Sequence, residues 1–388
     1  MTGPVIAADE PNTSEPDSYD QAWSSDTTVA GEPESIAPNS NAPIYDPPDA
    51  NDWNSGAVSS GAVGSGGGYS QGSCSSCTTS PGVASDFLGT YRFGGGNPAF
   101  NGPWYVSADA FLLHRSNGNA NIPITMNSNT GNTILSAQNL TFTSRVGPRL
   151  MVGYAWSHTT AFEVSYFGLI DSRTQVGISG PDNLTLPGDL SSVATGFSGA
   201  SQVNVSYSSL LNNAEFNVLR NTGSNPISWL YGFRYLGLNE HLDINSVSST
   251  TANYAVMTRN NMFGIQGGGR WMFNYKNFSL EATGKLGILE NATMQTQSVT
   301  DPGAAFLPRQ ASEKGANVSF LSEFGANAIY RLSEHWGLRF GYTFIWVDGL
   351  ALAPNQLDYT FTTTSGTGLN HGGNVFLSAI NLGVEFHW

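Results

Sequence analysis

From Trp104 to the end of the chain, apolar side chains recur at every second position in runs of about ten to thirteen residues. Successive side chains of an extended chain point to opposite sides, so each run reads as a strand with one face in lipid or core and the other in a polar setting. Ten runs can be counted: 104–115, 145–156, 161–171, 208–220, 227–240, 260–273, 278–289, 320–332, 336–348 and 375–388. Short links at 157–160, 221–226, 274–277 and 333–335 alternate with long polar ones at about 116–144, 172–207, 241–259, 290–319 and 349–374. Short turns on one side, long loops on the other and an even strand count predict an all-β fold, a transmembrane antiparallel up-and-down β-barrel of about ten strands. No stretch approaches the ~20 uninterrupted apolar residues of a spanning helix, so the strands are the spanning elements that the sequence offers.

The tryptophans separate this reading from a soluble β-sandwich. Trp104, Trp156, Trp229, Trp271, Trp336 and Trp388 all fall on the apolar face, at the strand end nearest the short turns or the chain ends. Amphipathic rings favour the boundary between lipid headgroup and acyl chain, so indoles at one level predict an aromatic girdle, whereas a sandwich core has no reason to gather them there. Phe162, Phe278 and Tyr330 occupy comparable positions on three further strands.

The girdle fixes which parity faces lipid, and the other parity faces the lumen. The expected lumen set is Asp109, Arg145, Arg149, Glu163, Glu215, Arg234, Gln266, Arg270, Glu281, Lys285, Glu323, Arg339 and Glu385. Ten tilted strands enclose a backbone radius of roughly 10 Å, much of it taken by side chains, so the bore is expected to be narrow. Counted up from the aromatic rim, Arg339 stands level with Glu385 on the next strand, and Lys285 with Glu323, so each pair can bridge. The polar lumen is expected to act as a constriction that passes small hydrophilic solutes by passive diffusion; the alternative is a structural or surface-recognition barrel whose interior is closed by charges that satisfy one another. An unpaired charge away from water is costly, which favours pairing in either case.

Composition divides the chain. Residues 1–100 hold twelve acids and one base, Arg92, whereas residues 101–388 hold seventeen acids and fourteen bases. The first hundred, rich in Pro, Ser, Gly and Asp, predict a disordered acidic leader that hangs in the periplasm; residues 101–388 predict the barrel, with its long loops at the cell surface. The net charge of −14 excludes the basic footprint that nucleic-acid binding requires. The start MTGPVIAADEPN has no basic segment followed by an apolar stretch, and its VIAA run resembles the end of a secretory signal, so a signal sequence upstream of Met1 is expected. Cys74 and Cys77, in GSCSSC within the leader, lack the further soft ligands of a zinc site and the strand-to-helix context of a redox motif; a small local disulfide is the preferred reading.

Two resemblances add to these readings. The last strand alternates Ile380, Leu382, Val384, Phe386 and Trp388 and ends on an aromatic residue; residues 376–388 resemble the recognition strand of substrates of the bacterial barrel-assembly machinery. The segments WLYGFRYLGLNE (229–240), NNMFGIQGG (260–268) and WGLRFGYTFIWVDGLALAP (336–354) resemble blocks of the putative beta-barrel porin-7 family, over about residues 104–388. That resemblance implies an outer-membrane barrel in contact with outer-membrane lipid, and a porin-type role, without naming a solute.

Catalysis is not expected. Some ten-stranded outer-membrane barrels are proteases with acids and a histidine at one rim, but the six histidines here are scattered, and there is no Walker loop, HExxH or GxSxG. His114 with Asp171 or Asp348 is the one acid and base pair worth testing against a structure. No catalytic residue, metal ligand or cofactor site is assigned.

Overall fold

The computed structural model describes residues 103–388 apart from 119–120, 222–225 and 305–307, and of residues 170 and 171 the backbone alone. The expected leader, Cys74 and Cys77 and the start of the chain lie outside the described residues.

Twelve strands form one antiparallel sheet: β1 (Trp104–Arg115), β2 (Pro123–Asn127), β3 (Thr133–Ser136), β4 (Arg145–Ser157), β5 (Thr160–Thr185), β6 (Ala200–Asn221), β7 (Ile227–Val247), β8 (Thr251–Tyr275), β9 (Phe278–Thr300), β10 (Arg309–Arg331), β11 (Trp336–Leu350) and β12 (Gly373–His387). Ten of them close a ring in the order β1-β4-β5-β6-β7-β8-β9-β10-β11-β12, with β12 paired back onto β1. The seam is shut at the chain ends, where the backbones of Trp104 and Trp388 exchange hydrogen bonds of 3.1 and 3.0 Å. β2 and β3 are not part of the ring and form a hairpin attached to the far end of β5.

The six tryptophans of the expected girdle are all exposed on the outer face, and their rings join neighbours along the rim. Trp104 stacks with Trp388 at 6.3 Å between centroids, and Trp336 lies 4.7 Å from Phe386. On β11 the outward apolar face runs from Trp336 to Trp346, ten steps along the strand, which at ~3.3 Å each and a tilt of ~40° span about 25 Å, the height of a barrel's lipid-facing band. Among the described residues no helix is long and apolar enough to cross a membrane.

The structure corrects the expected loops. Three of the five, 172–207, 241–259 and 290–319, are for the most part continuations of strands: β5 to β10 run for 26, 22, 21, 25, 23 and 23 residues, against the 9–11 that a bilayer requires. The reason is a change of solvent along each strand. On β7 the apolar residues at membrane height point outward (Trp229, Tyr231, Phe233, Tyr235); beyond Leu236 they point inward (Leu238, Leu242, Ile244), and His241, Asp243 and Asn245 take the outer face. Alternation continues with its phase reversed, because the outer face has passed from lipid to water.

The two remaining long connections, 116–144 and 349–374, fold into the end of the barrel that carries the extensions. Ile124, Leu135, Leu140 and Phe142 of the first and Ala353 of the second are buried in one cluster with the inward residues Val203, Val205, Tyr207, Leu242, Ile244, Tyr254 and Val256. Above the membrane band, the chain therefore builds a core of the soluble kind inside the wall.

Candidate functional site: the barrel lumen

Three layers fill the lumen. The lowest is ionic. Six carboxylates (Asp109, Glu163, Glu215, Glu281, Glu323, Glu385) meet five cations (Arg149, Arg234, Arg270, Lys285, Arg339). Lys285 Nζ lies 2.8 Å from Glu215 and 3.1 Å from Glu323, and Arg234 Nη1 lies 2.6 Å from Glu323. Arg270 donates two hydrogen bonds to Glu163, of 2.6 and 2.8 Å, and Arg339 donates one of 2.8 Å to Glu385 while sitting 3.5 Å from Glu281 and 3.7 Å from Asp109. Gln266 donates to Glu215 (2.9 Å), and Asn327 to Glu281 (2.9 Å), so the amides take up remaining lone pairs.

Of the residues expected in the lumen, Arg145 alone stays apart. It has the inward parity but stands exposed at the upper end of β4, beyond the network. The pairs counted from the rim, Arg339 with Glu385 and Lys285 with Glu323, are joined; most other contacts link strands that are not neighbours, such as β8 to β5 through Arg270 and Glu163, and β7 to β10 through Arg234 and Glu323. Tyr105, also inward, lies over Gly153, where any Cβ would run into its ring, and its hydroxyl donates to Glu163 at 2.7 Å.

Above the charges lies an apolar layer. Phe111, Phe167, Leu169, Leu211, Leu236, Met262, Leu289, Leu321, Ile345 and Leu377, from nine of the ten ring strands, form one buried cluster across the bore. Two cavities lined by the ionic layer measure ≈ 40 Å³ each, room for a few water molecules.

A buried ion pair crosses the lumen over this layer. Arg115, at the top of β1, bonds Glu240 on β7, and its guanidinium lies 4.6 Å from the Phe142 ring and donates to Tyr207 Oη at 3.3 Å. The second carboxylate oxygen of Glu240 accepts the Ala353 N–H at 2.8 Å. Phe142 and Ala353 belong to the two inserted connections, so one pair fastens both. The expected lumen set lacks Arg115 and Glu240; their inward parity is the available signal, masked by their position at the ends of the expected strands.

The inserted 349–374 segment rests on a ladder of polar side chains at alternate positions of β9. Asn291 donates to Gly349 O (3.0 Å), Thr293 bonds His371 Nε2 (2.8 Å), Gln295 donates to Gly366 O (3.2 Å) and Gln297 donates to Gln356 O. Tyr254 and Arg309 hold the carbonyl of Asp358 at 3.1 and 3.0 Å. Burial pushes the Tyr254 hydroxyl up to about 12, against the pull of the Asp358 backbone and Arg309. Burial also raises Asp358, but donors from Thr360 and Gly366 outweigh it and hold the carboxyl below its ordinary value.

Among the described residues, His114 and Asp348 do not meet as an acid and base pair. His114 faces outward and pairs with Ser378, which pairs with Phe344, four residues from Asp348 and two strands away, a separation of about 16 Å by strand spacing. The Asp171 side chain lies outside the described residues. Among the described residues no group of three or more His, Cys, Asp or Glu could hold a metal ion.

Comparison with known proteins adds a family and a set of distant folds. The family described as Putative beta barrel porin-7 matches residues 116–377. No curated relative matches the sequence. Among solved structures, the chain is similar to the outer membrane protease OmpT from Escherichia coli, at 8% identity and a TM-score of 0.39, covering 74% of this chain and 96% of that one. It is also similar to a Pseudomonas aeruginosa FadL homologue, at 10% identity and a TM-score of 0.27, covering 77% and 96%.

Proposed function

This chain belongs to the Putative beta barrel porin-7 family, and from that premise we propose that it is an outer-membrane barrel held closed, a scaffold that spans the bilayer and carries a folded platform at the cell surface. The observation that carries this reading is the filled bore: an ionic layer with ≈ 40 Å³ cavities, an apolar layer above it, and two connections packed over both. An apolar plug away from water gives a hydrated ion nothing to replace its shell, so ions do not pass while it is intact.

Porin-like passive diffusion of small hydrophilic solutes is the second reading, favoured by the family and by the charged lower lumen. In it, the inserted connections would have to leave. Planar-bilayer recording of the purified protein separates the two: a folded, silent barrel supports the closed scaffold, and discrete conductance steps support diffusion.

In both readings the tall ends of β5–β10 face outward from the cell, the leader lies in the periplasm and residues 376–388 present the outward row Ile380, Leu382, Val384, Phe386 and Trp388 to the barrel-assembly machinery. Trp388→Ala is expected to slow assembly into the outer membrane while the refolded barrel in detergent keeps its stability, measured by the heat-dependent shift in gel mobility.

A further inference from the structure

We propose that the outer wall formed by β5, β6 and β7 above the membrane carries a saccharide-binding site. The level of the membrane surface is marked on this wall by Tyr166, whose hydroxyl donates to Asn212 Oδ1 at 2.8 Å, and Tyr235, whose hydroxyl donates to Asn261 Oδ1 at 3.0 Å. From Asn212, β6 climbs six residues to Ser206 and eight to Asn204, roughly 15–20 Å for a tilted strand. There a depression of ≈ 430 Å³ opens outward, lined by the side chains of Arg173, Gln175, Asn204, Ser206, Asp243 and Asn245.

Gly177 makes the hollow. It sits in mid-strand opposite Asn204, and a methyl group in its place would lie 2.8 Å from Asn204 Oδ1. The walls are held by their own bonds: Arg173 Nε donates to Ser206 at 3.0 Å, and Asn253 donates to Asn245 at 3.1 Å and to Asp243. Among the described residues, the Arg173 Nη atoms and the Gln175 amide are left with no hydrogen-bond partner, and both belong to exposed side chains.

The chemistry of this lining selects a class of ligand. Amide, hydroxyl, carboxylate and guanidinium together offer donors and acceptors at close spacing, and one cation beside one anion leaves no net charge. Vicinal hydroxyls of a sugar, each both donor and acceptor, match that set. A peptide partner would require an aromatic or aliphatic anchor, and the outward side chains of the depression supply none. The ligand is therefore a glycan, either the headgroup of an outer-leaflet glycolipid or a free polysaccharide.

The test uses full-length protein in nanodiscs, which expose both faces, so its outcome does not depend on the orientation or the closed bore proposed above. The probes are printed oligosaccharides of bacterial surface glycans, and intact lipopolysaccharide in liposomes. Binding of a printed oligosaccharide, weakened at least tenfold by Asp243→Asn, by Arg173→Gln and by Gly177→Val, is the expected result and indicates that sugars alone suffice. Binding of the liposomes alone, with the same losses, assigns the site to a glycolipid headgroup. No binding to either probe, or binding that all three folded variants retain, overturns the proposal.

Discussion

Arg115 and Glu240 are the residues whose contribution is most sharply exposed to test. Both side chains are almost fully buried, and among the described residues two guanidinium nitrogens of Arg115 have no hydrogen-bond partner. Removing one charge strands the other in an apolar setting. Glu240→Gln is therefore expected to cost about 3–5 kcal/mol in urea unfolding followed by tryptophan fluorescence, whereas the double change Arg115→Met with Glu240→Leu comes closer to neutral. Asp358 gives a pH dependence of known sign. Its folded pKa lies below the ordinary 3.8, so its contribution is complete above that value and lost as pH falls from 3.8 through the folded value. Protection of the 358–366 segment from hydrogen exchange is expected to hold down to about pH 4 and to fall as the pH is lowered further, and Asp358→Asn to flatten that dependence.

At the scale of the element, β9 and the segment it holds decide whether the lumen is plugged. β11 leaves the wall at Gly349, where φ is +79° and a Cβ would meet Val318 O at 2.8 Å. The Gly349 carbonyl accepts from Asn291, Asn317 and Ser319 at 2.9–3.0 Å, which fixes the point at which the chain turns inward. Gly349→Val is expected to destabilise by more than ~1 kcal/mol and to open 349–374 to protease, read by limited digestion in detergent. Gln295→Ala with Gln297→Ala removes two rungs of the ladder, and at roughly 1 kcal/mol each should loosen the same segment with little change in global unfolding. The β9 ladder also explains why the sequence predicts a loop beyond 289: Asn291, Thr293, Gln295 and Gln297 alternate with Ala292, Met294 and Thr296, a pattern with a regular inward face but no apolar periodicity.

For the whole molecule, the ionic layer ties together strands that are not neighbours in the ring. Arg339 reaches Asp109 on β1, Glu281 on β9 and Glu385 on β12, so Arg339→Ala leaves three carboxylates without their shared cation. It is expected to lower the temperature of unfolding in detergent with conductance still silent; a rise in conductance at unchanged stability would point to a gate instead. Deleting residues 353–370 removes one insertion from the bore and should produce conductance steps only if the apolar layer yields with it.

What the sequence determined by itself was local: the strand period, the aromatic level, the even count and the parity of each side chain. Those follow from a two-residue repeat set against one flat boundary, lipid below and water above, and they placed Lys285 at the height of Glu323, its direct partner, and Arg339 at a height similar to Glu385, two residues away in register. The tertiary structure alone decided what meets across the ring. Which strands face each other depends on closure and tilt, so the Arg270–Glu163 and Arg115–Glu240 contacts, 107 and 125 residues apart along the chain, left no trace in spacing. Whether the bore is open was decided there too, because a plug forms only when two distant connections find the same apolar ring, and alternation within a strand carries no record of what fills the space it encloses.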